Sequence, residues 1–265
     1  MLASQGMALK NLTDEQVQYG FYHFFKDRKD DIPRATELAD YDGGDELVIN
    51  CTQLGSEYSQ KERKRVLNEW CEFLEKNPSR FKKLKFGTRM PQELFNAACR
   101  QTNLRNLEIK WGAYKDLSAI ENLQDLDFLY IGSGAGVESV TPISKIKRLS
   151  GLYIENFQKI QDYSSIALLQ ELTSLTLCGD GLGPQYVKVE SIDFLKEMKQ
   201  LRFLNLLTIQ LKNKDYSPIL ELTNLEHLSL RSHRDVKRFY NELSALPKLK
   251  WGLLKEKPNI YESQG

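Results

Sequence analysis

The stretch "LTNLEHLSLRSH", residues 222–233, sets leucines at 222, 225, 228 and 230, with His227, Ser229 and Arg231 in alternate positions. In an extended strand successive side chains point to opposite faces, so Leu228 and Leu230 point one way while His227, Ser229 and Arg231 point the other. One such strand cannot bury its leucines alone. The pattern must recur, and it does. Leu104, Leu107, Ile109 return as Leu126, Leu129, Ile131, then Leu149, Leu152, Ile154, then Leu172, Leu175, Leu177, and then Leu201, Leu204, Leu206. Measured at the middle residue, through to Leu228, the steps are 22, 23, 23, 29 and 24. A weaker copy, Leu249, Gly252, Leu254, follows, and Phe81, Leu84, Phe86 precedes the set.

A second motif keeps the same phase. "DLSAI" (116–120), "SVTPI" (139–143), "DYSSI" (162–166), "SIDFL" (191–195) and "DYSPI" (215–219) each lie between two of the leucine segments. Stacking such units in parallel gives a shared core, with one face of every strand turned inward and the other displayed.

The period of twenty-odd residues with L-x-x-L-x-L resembles the leucine-rich repeat family, over about residues 81–254. The short segments between strands resemble its internalin-like class. The resemblance implies an α/β fold, a right-handed solenoid with a parallel sheet on its concave face and short helices or 3₁₀ turns on its convex face. The ninth repeat position, often Asn in that family, reads Gly112, Gly134, Phe157, Asp180, Ile209 and His233, so no asparagine ladder is present. The 29-residue step carries "CGDGLGPQYVKVE" (178–190), expected to protrude from the rim.

The expected organisation is an N-terminal helical arm or cap over residues 1–45, a solenoid over 46–254 and a tail over 255–265. Within the solenoid, helix-bearing repeats cover 46–103 and shorter repeats cover 104–254. "DELVIN" (45–50) reads as a strand. A helix follows over 59–78, with Ser59 and Glu62 as a capping box and Val66, Trp70, Phe73 and Leu74 on its apolar stripe. "PQELFNAACRQ" (91–101) is a shorter helix with proline in its first turn. Residues 12–30 carry a second capping box, Thr13 and Gln16, and an apolar face of Val17, Phe21, Phe24 and Phe25. That helix reads as a cap on the first repeat or, alternatively, as a recruiting or dimerising arm. The polar tail "EKPNIYESQG" reads as frayed. "MLASQG" ahead of Met7 carries no structural signal.

Composition narrows the function classes. Lys+Arg at 37 against Asp+Glu at 36 leaves no basic footprint for nucleic acid or an anionic membrane. The N-terminus lacks the continuous apolar run of a secretory signal. Cys51, Cys71, Cys99 and Cys178 are far apart with no CxxC, as expected of reduced thiols in a cytoplasmic protein. His23, His227 and His233 are too scattered for a metal or acid/base site, so no metal and no cofactor is expected. The glycine runs "GSGAG" (132–136) and "GDGLG" (179–183) lack the Lys-Ser/Thr of a phosphate loop and read as turn geometry.

The displayed face therefore carries the functional reading. Phe128, Tyr130, Tyr153, Phe203 and Trp251 are expected to face solvent there, beside Lys110, Glu155, Asn205, His227 and Arg231. Aromatics with arginine on an open surface have the composition of interface hot spots; the competing account is sideways packing as cross-strand ladders. The expected function is a non-enzymatic scaffold that engages a protein partner through its concave face. By resemblance, it extends to a stand-alone inhibitor or immunity protein that neutralises an enzyme or toxin. The other readings are a secreted or surface adhesin of internalin type, and an enzyme with its site in the N-terminal region.

Overall fold

A computed structural model describes residues 32–180 and 186–262 of the chain. The Thr13–Gln16 capping box, its helix and residues 181–183 of the second glycine run lie outside the described residues. Nine strands form one parallel sheet: β1 (Arg34–Ala35), β2 (Glu46–Ile49), β3 (Lys83–Phe86), β4 (Asn106–Ile109), β5 (Phe128–Ile131), β6 (Gly151–Glu155), β7 (Ser174–Cys178), β9 (Phe203–Leu207) and β11 (His227–Leu230). They lie in chain order, broken only because β8 (Val187–Val189) and β10 (Ile209–Leu211) pair with each other in a second small sheet.

The register explains the leucine spacing. Leu84, Leu107, Leu129, Leu152, Leu175, Leu204 and Leu228 are direct partners from strand to strand, and all are buried. Phe86, Ile109, Ile131, Ile154, Leu177, Leu206 and Leu230 make a second buried row two residues on.

Opposite the sheet run five 3₁₀ helices, Ser118–Asn122, Thr141–Lys145, Ser164–Leu168, Asp193–Glu197 and Ser217–Glu221. Each is opened by a side-chain oxygen two residues before it, which accepts the first N–H of the turn. Asp116, Ser139, Asp162, Ser191 and Asp215 play this part for Ser118, Thr141, Ser164, Asp193 and Ser217. The phased motif is thus a turn initiator followed by a core residue: Ile120, Ile143, Ile166, Leu195 and Ile219 are all buried.

The early repeats carry longer helices. In α1 (Gln60–Lys76) the Ser59 hydroxyl accepts from the Glu62 N–H, and the Glu62 carboxylate accepts from the Ser59 N–H at 2.7 Å. Val66, Trp70 and Leu74 are buried, while Phe73 is partly so. α2 (Gln92–Ala98) follows with Pro91 at the N-cap, one residue outside the first turn where it was expected. Gln101, fully buried, donates to the carbonyls of Leu74 and Asn77 and accepts from the Phe81 N–H. It thereby ties the end of α1 to the start of β3.

Three expectations need correction. The insertion does not simply protrude: Val187 and Val189 are buried in the second sheet, where β8 pairs with β10 in register. Their alternating apolar side chains give the insertion its own core contact. The segment around Leu249, Gly252 and Leu254 is not a strand. Trp251 makes a single bridge to His227, after which Gly252 turns at φ 97° and the chain enters α5 (Leu253–Glu256). A β-carbon on Gly252 would fall 2.4 Å from the Leu228 carbonyl oxygen, so the chain closes on β11 there as only glycine allows. The tail is not frayed through Glu262: Tyr261 is buried, donates to the Leu230 carbonyl and stacks on Tyr240. α5 packs against β11 and α4 (Tyr240–Ser244) packs against α5, while α3 (Arg234–Lys237) precedes them in the chain, so α5 and Tyr261 shield the last strand. The sheet also begins upstream of residue 46, with β1 paired to β2.

Candidate functional surface

The displayed side of the sheet has three rows, set by the same register. Lys83, Asn106, Phe128, Gly151, Ser174, Phe203 and His227 form the first, with Trp251 bridged to its end. Arg34, Val48, Lys85, Glu108, Tyr130, Tyr153, Thr176, Asn205 and Ser229 form the middle row. Glu155, Cys178 and Leu207 share the third, near the strand ends.

The candidate residues do not share one environment. Lys110 and Arg231 are exposed, and Tyr130, Tyr153, Glu155 and Trp251 are half-buried. Phe128, Phe203, Asn205 and His227, expected to face solvent, are buried at 5, 0, 3 and 5% exposure. The reason is sideways packing between rows. Phe128 lies over Gly151 of the next strand, where a β-carbon would fall 2.6 Å from its Cδ2. Trp251 covers the C-terminal end, with ring centroids 4.3 Å from His227 and 5.6 Å from Phe203. The Arg202 guanidinium lies 5.6 Å from the Phe203 ring centre and donates to Glu226. Asn205 sits between the buried rungs Thr176 and Ser229. For these four the ladder account holds.

The centre of the face is different. The Tyr130 and Tyr153 rings meet edge to face at 4.5 Å. The Tyr130 hydroxyl donates to Glu155 Oε2 at 2.9 Å, and the Cys178 thiol donates to the Tyr153 hydroxyl at 3.4 Å. Burial, reinforced by the Glu155 carboxylate, holds the Tyr130 hydroxyl well above the usual phenol range, and burial likewise raises Tyr153 and Cys178. Cys178 is therefore a protonated thiol, without the thiolate character of a nucleophile.

One pair has the look of catalysis: Ser229 Oγ lies 3.1 Å from His227 Nε2. Burial pulls His227 down to about 3, so the ring is neutral at pH 7. Both residues are buried, His227 against the Trp251 ring, and Ser229 Oγ also accepts the Leu253 N–H. The pair is a packed polar rung. His233 is bound elsewhere, its Nε2 2.9 Å from the Tyr216 hydroxyl. Among the described residues no three His, Cys, Asp or Glu side chains gather as metal ligands, and no helix is long and apolar enough to cross a membrane.

Sequence reading reached Lys110 at the N-terminal part of this face but missed the cations before it. Lys85 Nζ lies 3.1 Å from Glu108 Oε2, a carboxylate only 2% exposed. A pocket of about 570 Å³ opens beside them, bounded by Arg34, Lys85, Lys110 and the 50–58 loop. Arg34 escaped notice because a two-residue strand has no readable period. At the other end Arg231 stacks over Tyr186, 4.6 Å from the ring centre, which joins the insertion to the displayed face.

No family model matches the chain, and no curated protein matches it. Among solved structures it is similar to an internalin (inlF) of Listeria monocytogenes str. 4b F2365, at TM-score 0.50 and 22% identity over 66% of this chain. The match spans 54% of that internalin, about half its length. It is also similar to internalin C2 (inlC2) of the same strain, at TM-score 0.45 and 24% identity over 65% of this chain and 68% of the other. At such identities the likeness concerns architecture alone. Parallel strands in register, 3₁₀ turns opposite them and the likeness to inlF together identify the fold: the chain is a leucine-rich repeat solenoid with helix-bearing N-terminal repeats.

Proposed function

We propose that this protein is a non-enzymatic scaffold that binds a protein partner on its concave face, acting in the cytoplasm as an inhibitor or immunity protein toward an enzyme or toxin. The observation that carries the reading is the Tyr130–Tyr153 pair, half-buried at the centre of the displayed face, with Glu155 beside it. Paired aromatics with a fixed polar group lose little freedom on binding. Four unpaired cysteines are consistent with a reducing compartment.

The test is affinity capture from the native lysate by the wild-type protein and by a Tyr130→Ala, Tyr153→Ala double variant, followed by identification of the captured protein. The expected result is one dominant partner whose recovery falls about tenfold or more in the variant, as for hot-spot aromatics. Undiminished recovery by a correctly folded variant overturns the reading.

A further inference from the structure

We propose that the pocket at the N-terminal end of the concave face takes the carboxylates of an acidic segment in the protein partner; this rests on the protein-binding reading above. Its cations come from successive parts of the sheet. Arg34 lies on β1 and Lys85 on β3, and Lys110 follows β4. Arg34 and Lys110 are exposed and have no carboxylate partner among the described residues. Lys85 shares its charge with Glu108, which is nearly buried and so holds the ammonium in place while leaving it 35% exposed. The lining has a single acid, Glu57.

The walls are built to stay put. Arg63 donates to the Tyr58 carbonyl at 2.9 Å and to the Gly55 carbonyl at 2.6 Å, anchoring the 50–58 loop to α1. Gln53, at φ 54°, accepts the Arg89 N–H at 2.9 Å, and the Thr52 hydroxyl reaches Thr88 and the Arg89 carbonyl. The Asn50 amide oxygen occupies the space beside Gly87 that any β-carbon would need. These contacts leave polar groups of Asn50, Thr52 and Thr88 on the pocket wall next to the cations.

The spacing of the cations selects the occupant. Three inter-strand steps separate the Arg34 and Lys110 rows, on the order of 14 Å. That span suits two or more carboxylates along an extended segment, whose alternate residues lie about 6.6 Å apart, better than one small anion. Arginine adds a planar donor fork for carboxylate, and the exposure of the pair makes the attraction sensitive to salt.

The test uses isotope-labelled full-length protein titrated with a hexaglutamate peptide and, separately, with inorganic phosphate, following backbone amide resonances. Hexaglutamate is expected to shift amides of residues 50–58, 85–88 and 110, and added salt to weaken the binding several-fold. Arg34→Ala with Lys110→Ala, both at exposed positions, should weaken it about fivefold or more with an unchanged melting temperature. Absence of binding, shifts elsewhere, or undiminished binding by the double variant overturns the proposal. Equal shifts from phosphate at the same concentration also overturn it, assigning the pocket to a small anion. The Tyr130→Ala, Tyr153→Ala variant separates the two readings. If it captures partner normally while hexaglutamate still binds the pocket, the central face has failed and the pocket stands. If capture depends on the tyrosines but hexaglutamate does not bind, the pocket alone has failed.

Discussion

The ring of Phe128 lies across the α-carbon of Gly151 on the neighbouring strand, in the space a side chain there would fill. A residue on the displayed face is buried in this way because its neighbour has no side chain. Gly151→Ala is therefore expected to destabilise the protein by about 1–3 kcal/mol, the usual cost of overpacking. Adding Phe128→Ala should recover part of that loss, because the second change vacates the contested space. Denaturant unfolding of the single and double variants measures the coupling. Strictly additive losses would mean that the ring and Gly151 do not compete.

His227 gives a pH prediction. Its folded value is pulled down to about 3 by burial, below the ordinary value of about 6.5 that applies in the unfolded chain. Between those values the unfolded chain binds the extra proton, so stability falls as pH drops through that window, by ~1.4 kcal/mol per pH unit from this group. Replacing His227 by Gln should lower stability at pH 7 through the lost packing under Trp251. It should also shrink the loss between pH 7 and pH 5 by about 2 kcal/mol. Urea titrations at the two pH values decide it; an identical loss in both proteins would place His227 in contact with solvent.

Leu175 sits between Leu152 and Leu204 in the middle of the buried row. Leu175→Ala should cost about 2–5 kcal/mol, the range for buried leucine truncation. Its melting curve is the direct check on the register, since a leucine on the displayed face would change little.

The C-terminal residues act as a lid on the last repeat. Tyr261→Phe removes the donor to the Leu230 carbonyl and is expected to cost about 1–3 kcal/mol, the penalty of an unpaired buried carbonyl. Ending the chain at Glu256 should cost more, because it also uncovers the apolar end of the solenoid. Thermal melts of both variants check this, and a silent truncation would contradict the buried position of Tyr261.

Much of the architecture was legible because it is periodic. Leu104, Leu126, Leu149, Leu172, Leu201 and Leu225 repeat with their partners, and a strand's two-residue alternation assigns each neighbour to a face. The turn motif was legible for a local reason, since Asp116 and its counterparts satisfy an N–H only two residues away. The candidate surface was less legible. Which face Phe203 occupies follows from alternation, but whether water reaches it depends on Trp251, 48 positions on, reached through an intervening strand. The basic pocket escaped for the same reason: Arg34 and Lys110 are brought beside one pocket only by three lateral pairings.

By itself, the amino-acid order determined the stacked parallel strands from Phe81 to Leu230, the phase of their core leucines and the convex turns, because each follows from alternation and short-range hydrogen bonding repeated along the chain. Only the tertiary structure decided which displayed side chains stay open, that the insertion pairs through β8 and β10, and that the tail seals the last strand. Those outcomes depend on contacts between residues distant in the chain, and burial is a property of the neighbours a side chain meets rather than of its own position in the repeat.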